Sequence, residues 1–297
     1  MIVATRNRAH TLKKVAPSFF AQDGLSEIVF VDDCGDDNTA EVLNEIAKNY
    51  PSVSFRLIRN EERKGQGQSR NIGIANANSE YLLFCDDDEY MEQGYAKKCL
   101  EKIREYDAGV VSGRRVYMRV GETPEQALVR FGNGLRRVPP YYKIICEYAN
   151  SAKFDGDAQI PLVNSIMLTK KETVLKFPFD PFYFQGNGYR EESDFHMNLF
   201  VNGYKNVMTN DCHTMHLPLE EVKTGGQRVD LRKRIYWSNR YNSYFFDKYF
   251  ERYKALMGIS VPKCAAKALF FVFSIYKEVL RPLLRDVYVR AGQYLDG

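Results

Sequence analysis

Three apolar, strand-like runs in the first third of the chain each end in a polar or charged cluster. Met1–Thr5 (MIVAT) runs into Arg6-Asn7-Arg8, and Glu27–Val31 (EIVFV) stops at Asp32-Asp33. Tyr81–Cys85 (YLLFC) stops at Asp86-Asp87-Asp88-Glu89. Helix-like segments separate them. Thr11–Ala21 carries Leu12, Val15, Phe19 and Phe20 at helical spacing, and a second helix is expected from Asn38 or Thr39 through Val42, Leu43 and Ile46. Val53–Ile58 reads as a further strand and Ser69–Ala77 as a helix, with Ser69 as its N-cap. This alternation predicts an α/β fold with a mainly parallel central sheet flanked by helices. In a parallel sheet every carboxyl end points the same way, and open α/β sheets bind ligands outside that edge. One ligand is therefore expected to meet all three clusters.

Later elements follow less regularly. Residues 117–158 are interrupted by Gly132, Gly134, Pro139 and Pro140; Val163–Thr169 reads as a strand and Pro178–Gly188 as a loop. Glu191–Val201 is expected to be helical and Val207–His216 extended. Leu217–Arg228, with Gly225-Gly226, reads as a mobile loop, and the chain from Asp230 as helical. The expected division is 1–115, 116–220 and 221–297, the first two being halves of one domain and the last a C-terminal helical extension. The 297 residues fit one large domain or two small ones, at about 100–200 residues each. With 44% apolar and 27% charged residues, disorder, collagen and coiled coil are excluded. A net charge of only +4 leaves no nucleic-acid footprint. Cysteines 34, 85, 99, 146, 212 and 264 form no CxxC pair, so free thiols in a reducing cytosol are expected. No signal peptide is evident, and the longest apolar stretch near the C-terminus, Ala268–Tyr276, falls far short of the about 20 residues a spanning helix needs.

Four adjacent carboxylates repel one another and call for a cation or a basic partner. Oxygen ligands suit hard ions such as Mn²⁺ and Mg²⁺; a solvated acidic turn is the plain alternative. Glu191, Glu192 and Asp194 open a helix, where acids complement the dipole without further purpose. A carboxylate there is also placed to take a proton from an attacking hydroxyl. The Gly65–Gly73 segment (GQGQSRNIG) is either a tight turn or an anion site strengthened by Arg70.

The order ATRNR, VDDCGDDNT, GxGxSRNxG, FCDDDEYM, REESDFHMNLF and HTMHLP resembles that of family 2 glycosyltransferases. The resemblance implies the GT-A fold and an inverting, metal-dependent transfer from a nucleotide-diphosphate sugar, with a UDP-sugar expected. It implies that Thr5 and Arg8 lie near base and ribose, that Asp33 accepts from the base, and that Arg70 sits close to the donor. Asp86, with Asp87 beside it, would face the ribose, while Asp88 and His216 would hold Mn²⁺ or Mg²⁺. Glu192 falls at the position of the catalytic base, with Glu191 as runner-up. Two departures stand out: Arg6 replaces a usual aromatic, and Glu191-Glu192 replaces a usual Glu-Asp pair.

The expected acceptor is a glycan or lipid-linked glycan in surface polysaccharide synthesis. A sugar-phosphate nucleotidyltransferase and a non-catalytic nucleotide-sugar-binding subunit are the alternatives. From Pro262 onward the chain interleaves Lys277, Arg281, Arg285 and Arg290 with apolar residues. Such a basic amphipathic helix either packs on the catalytic domain or makes peripheral contact with the cytoplasmic membrane face.

Overall fold

The computed structural model describes residues 1–222 and 230–283. The first half runs β1 (Ile2–Thr5), α1 (Ala9–Phe20), β2 (Glu27–Asp32), α2 (Thr39–Ala47), β3 (Ser54–Arg59) and α3 (Gln66–Asn76). Next come β4 (Tyr81–Cys85), β5 (Glu89–Met91), α4 (Tyr95–Tyr106) and β6 (Ala108–Tyr117). The middle holds α5 (Pro124–Phe131), the hairpin β7 (Tyr141–Tyr142) and β8 (Glu147–Tyr148), β9 (Asp157–Gln159), β10 (Met167–Lys170) and α6 (Lys171–Lys176). The chain continues through α7 (Glu191–Val201), β11 (Lys205–His216), α8 (Leu219–Val222), α9 (Leu231–Met257) and α10 (Lys263–Ile275).

The main sheet has the order β3-β2-β1-β4-β10-β6-β11-β5, with β9 also paired to β11. Every residue of β2 is buried, as a strand covered on both faces requires. Successive side chains alternate between two cores: Val3, Leu83 and Leu168 join α1 and α4 on one face, and Ile2, Phe84 and Met167 join α7 and α9 on the other.

Six of the nine strands in this sheet run one way, β6 and β11 pairing parallel to each other and running with β1 to β4. β1, β2, β3 and β4 run together, whereas β10 is antiparallel to both β4 and β6, and β5 and β9 are antiparallel to β11. The sheet is thus mainly parallel, as expected, with β10 reversed inside it, and the cause of that reversal is topological. After β6 the chain stays at the carboxyl edge through α5 and the β7–β8 hairpin. It then enters β10 from that same edge and must run back down. The residues just before β10, Asn164 and Ser165, consequently sit beside the acidic strand ends. Arg114 anchors the intervening excursion: its guanidinium donates to the carbonyls of Asn150 and Ala152, both at 2.7 Å, and lies 4.3 Å from the Phe154 ring centroid.

Local details also differ from expectation. The third helix starts at Gln66, with Gly65 (φ +87°) at its N-cap, so Ser69 lies inside it rather than capping it. A Cβ on Gly67 would sit 2.2 Å from the Phe184 ring and 2.9 Å from Glu191 Cδ, so this position needs glycine for packing. β10 begins at Met167 rather than Val163. The 115/116 division falls inside β6, and the 220/221 division inside α8. Residues 223–229 of the expected mobile loop, and Arg285 and Arg290, lie outside the described residues.

His196, on the inner face of α7, offers a test of the core. It is 1% exposed; its Nε2 meets Met167 Sδ and its Nδ1 has no hydrogen-bond partner. Burial, reinforced by the Arg70 charge, lowers its pKa to about 3. The unfolded chain therefore takes up a proton near pH 6.5 that the folded chain refuses until about pH 3. Stability contributed by this group is complete above pH 6.5 and falls by about 1.4 kcal/mol per pH unit below it. Urea unfolding at a series of pH values is expected to show this slope in the wild type and its loss in His196→Leu. Parallel curves for the two proteins between pH 6 and 4 would refute the assignment.

Candidate active site

The acidic turn that follows β4 distributes its four carboxylates among different partners. Asp86 accepts from Arg70 Nη2 (3.1 Å), Gln66 Nε2 (3.2 Å), Arg115 Nη2 (2.9 Å) and Ser165 Oγ (3.2 Å). Burial opposes its ionisation, but Arg115 and Arg70 outweigh that and hold its pKa below the ordinary value. Asp87 accepts from Thr5 Oγ1 at 2.7 Å and faces Arg8 Nε at 3.3 Å. Burial pushes Asp87 up to about 7 against the pull of Arg8, and neighbouring Asp88 adds to the rise. Asp88 lies 4.0 Å from Arg8 Nη2 and 3.6 Å from His216 Nε2. Glu89 is fully buried; its Oε1 is ion-paired with Arg115, and its Oε2 has no partner among the described residues. Burial raises the Glu89 pKa in spite of Arg115.

Strand register explains why His216 arrives here. In the β5–β11 ladder His216 pairs directly with Glu89, and the Leu217 N–H closes onto the Asp88 carbonyl at 2.9 Å. His216 Nδ1 lies 2.6 Å from the Leu217 carbonyl oxygen, an acceptor only, so Nδ1 carries the proton and Nε2 keeps its lone pair. One ligand atom from each of Asp88, Glu89 and His216 falls within 4.8 Å of the others. Two carboxylates and one pre-oriented imidazole, with Glu89 Oε2 lacking a donor among the described residues, fit a divalent ion such as Mn²⁺ or Mg²⁺.

The start of α7 supplies the other acids. Arg190 adopts φ +75° at the N-cap and turns the chain so that Glu191 and Glu192 point to Arg70. Arg70, 2% exposed, donates from Nη1 to both Glu191 Oε1 and Glu192 Oε1 at 2.7 Å, and from Nη2 to Asp86. Burial works against the Arg70 charge, and Glu192, Glu191 and Asp86 more than offset it, raising its pKa. Glu191 is buried; burial lifts its carboxyl to about 7 although Arg70 pulls the other way. The Glu192 side chain keeps 23% exposure, and its second oxygen has no partner among the described residues. Asp194 turns inward to Lys248, Tyr183 and Tyr249.

The structure thus joins Thr5, Arg8, Asp86, Asp87, Asp88, Arg70, Glu191, Glu192 and His216 in one network of contacts. Arg70 is buried in this network, bonded to three carboxylates with its guanidinium 5.8 Å from the Phe179 ring centroid, and so positions the acids. Asp33 adjoins it, its N–H donating to the Thr5 carbonyl at 2.8 Å. Its carboxylate accepts from the Asn60 side chain (2.9 Å), Lys64 N (2.7 Å) and Gly65 N (2.9 Å), fixing the loop that leads into α3. Glu89, Arg115 and Ser165 are the residues that sequence reasoning missed. Glu89 was in view as the end of an acidic run. Arg115 had a signal of its own, two arginines inside the otherwise apolar strand VVSGRRVY. Arg8 Nη1 also donates to the Val222 carbonyl at 2.5 Å, so α8 closes over the same edge.

Comparisons with known proteins agree with this geometry. Residues 1–162, more than half of the chain, match the model of glycosyl transferase family 2. The Streptococcus pneumoniae glycosyltransferase GlyA is 32% identical over 115 residues, covering 38% of this chain and 16% of its own length. The Rhizobium meliloti succinoglycan biosynthesis protein ExoO is 31% identical over 102 residues, covering 34% of this chain and 28% of its own length. The matched stretches are thus a minor part of both relatives. The Pyrobaculum calidifontis mannosyltransferase PcManGT, solved with GDP-Man and Mn²⁺, superposes with a TM-score of 0.61 at 15% identity, covering 99% of this chain and 79% of its own. Staphylococcus aureus TarS, solved with UDP-GlcNAc, gives a TM-score of 0.57 at 15% identity, covering 93% and 72%. These likenesses establish the architecture, and with the family match they make the chain a member of glycosyl transferase family 2 with the GT-A fold.

Proposed function

We propose that the protein is a metal-dependent, inverting glycosyltransferase that moves a sugar from a nucleoside-diphosphate donor, a UDP-sugar, onto an acceptor hydroxyl in the synthesis of a surface glycan. The observation that carries this reading is the meeting of Asp88, Glu89 and His216 at the sheet edge, with Glu192 tied to the same edge through Arg70 and Asp86. The names of similar proteins support the substrate classes. TarS was solved with UDP-GlcNAc, and PcManGT with GDP-Man and Mn²⁺. A Campylobacter jejuni relative, 30% identical over 106 residues, is a GalNAc(5)-diNAcBac-PP-undecaprenol beta-1,3-glucosyltransferase, which favours a lipid-linked acceptor.

Asp88, Glu89 and His216 would hold Mn²⁺ or Mg²⁺, whose Lewis acidity stabilises the charge of the departing diphosphate. Glu192 is the base. Arg70 occupies one of its oxygens and fixes its direction, leaving the other to accept the acceptor's proton. The acceptor oxygen bonds to the anomeric carbon as the bond to the diphosphate breaks, in a single displacement that needs no enzyme nucleophile. Glu191, buried behind it, shares Arg70 and supports the geometry. Thr5 and Arg8 fix Asp87 and so the acidic turn. The loop after β1, ATRNRAHT, has no glycine, which speaks against a nucleotidyltransferase.

Thermal-shift measurements with UDP, GDP, TDP and CDP, each with Mn²⁺ and with a chelator, are expected to single out UDP with Mn²⁺. Asp88→Asn, Glu89→Gln and His216→Ala are each expected to abolish the metal-dependent part of that shift. Retention of the full shift in all three would remove the metal site from the proposal. Glu192→Gln is expected to keep the nucleotide shift and to lower kcat about 10²–10⁴-fold. Released UDP identifies sugar transfer, whereas released pyrophosphate would identify nucleotidyl transfer instead.

A further inference from the structure

The helical segment from α10 through the π-turn Tyr276–Leu280 carries its apolar residues on both faces. Ala266, Phe270 and Ser274 face inward and are buried. Leu269, Val272, Tyr276, Leu280 and Leu283 recur at three- and four-residue steps on the outward face, and all are exposed, Val272 by 63%. A helix of this kind on a water-facing surface normally turns polar residues outward. No helix among the described residues is long and apolar enough to cross a membrane.

Charge accompanies the apolar stripe. Between Lys263 and Leu283 there are four cations and a single acid, Glu278, and that acid is paired with Arg234 at 2.8 Å. Lys263 and Lys267 are held by Asp247 on α9. Lys277 and Arg281 are exposed and have no ion-pair partner among the described residues. We infer that this face is a docking surface for an anionic lipid bilayer, lying in the plane of the headgroups with Leu269, Val272 and Tyr276 inserted. A second copy of the chain fits less well, because a two-fold contact on this stripe brings like-charged Lys277 and Arg281 of both copies to one interface.

The inner face of the same helix connects the surface to the site. Phe270 lies 5.3 Å from the Arg190 guanidinium and 6.0 Å from the Tyr189 ring, and Arg190 is the N-cap of α7, next to Glu191 and Glu192. α10 thereby stands between a docked bilayer and the turn that opens the helix carrying the proposed base. The inference stands apart from the sugar-transfer reading, since vesicle binding is measured without turnover.

The test is co-sedimentation of the full chain with vesicles of phosphatidylcholine alone and of phosphatidylcholine mixed with phosphatidylglycerol. Binding is expected only with phosphatidylglycerol present, and to weaken with salt. Leu269→Glu combined with Val272→Glu is expected to weaken it tenfold or more, with an unchanged circular dichroism spectrum showing that the fold survives. Lys277→Glu combined with Arg281→Glu leaves the apolar stripe intact and is expected to abolish the preference for anionic lipid, since these basic residues supply the attraction to the headgroups. No binding to either vesicle, or equal binding to both, would overturn the inference. So would a concentration-dependent dimer that Leu269→Glu with Val272→Glu disperses, which would assign the stripe to a second copy.

Discussion

Six carboxylates and three guanidinium groups, mostly withdrawn from water, form one connected chain at the carboxyl edge of the sheet. It runs from Glu192 and Glu191 through Arg70 to Asp86, from Asp86 through Arg115 to Glu89, and by way of His216 and Asp88 to Arg8, Asp87 and Thr5. Withdrawing a single charge from water costs several kcal/mol, and the loss is recovered only with close, well-oriented partners. Each arginine here touches at least two acids, so no link can shift without exposing another. Acids still outnumber guanidiniums two to one. The Asp88–Glu89–His216 corner, the proposed cation site, lies within this surplus of acids.

Much of this was legible in the chain before folding. β4 and α7 begin and end at the residues that apolar runs and first-turn acids mark, Tyr81–Cys85 and Glu191–Val201. The placement of acids at strand ends was also readable, because direction along a parallel strand decides which edge a side chain reaches. Pairing was not readable. Glu89 belongs to the corner only because β5 lies antiparallel to β11 in the register that sets it against His216, and such long-range register leaves no local trace. Asp33 has a structural task that its strand-end position did not reveal: three donors from 60–65 meet its carboxylate and fix the loop entering α3.

The reversal at β10 separates two tasks. The strands β1 to β4 present the acidic turn, whereas the excursion between β6 and β10 builds a wall of different origin beside it. That wall reaches back into the corner through Ser165 on Asp86, and β6, from which it departs, adds Arg115 on both Asp86 and Glu89. Variation in the excursion can therefore change what stands opposite the acidic turn while the first four strands stay as they are.

Arg190 gathers contacts from every later part of the molecule. It donates to the carbonyls of Cys146 (2.6 Å) and Ile145 (3.2 Å), pairs with Glu147 and Asn242, and lies against the rings of Phe245 and Phe270. α9 and α10 are accordingly walls of the chamber around a buried cation, not an appendage to it. Any chimera that grafts the first 220 residues onto a foreign tail must replace the Asn242 acceptor and the two rings, or the turn that aims Glu191 and Glu192 will be held from the 145–147 side alone.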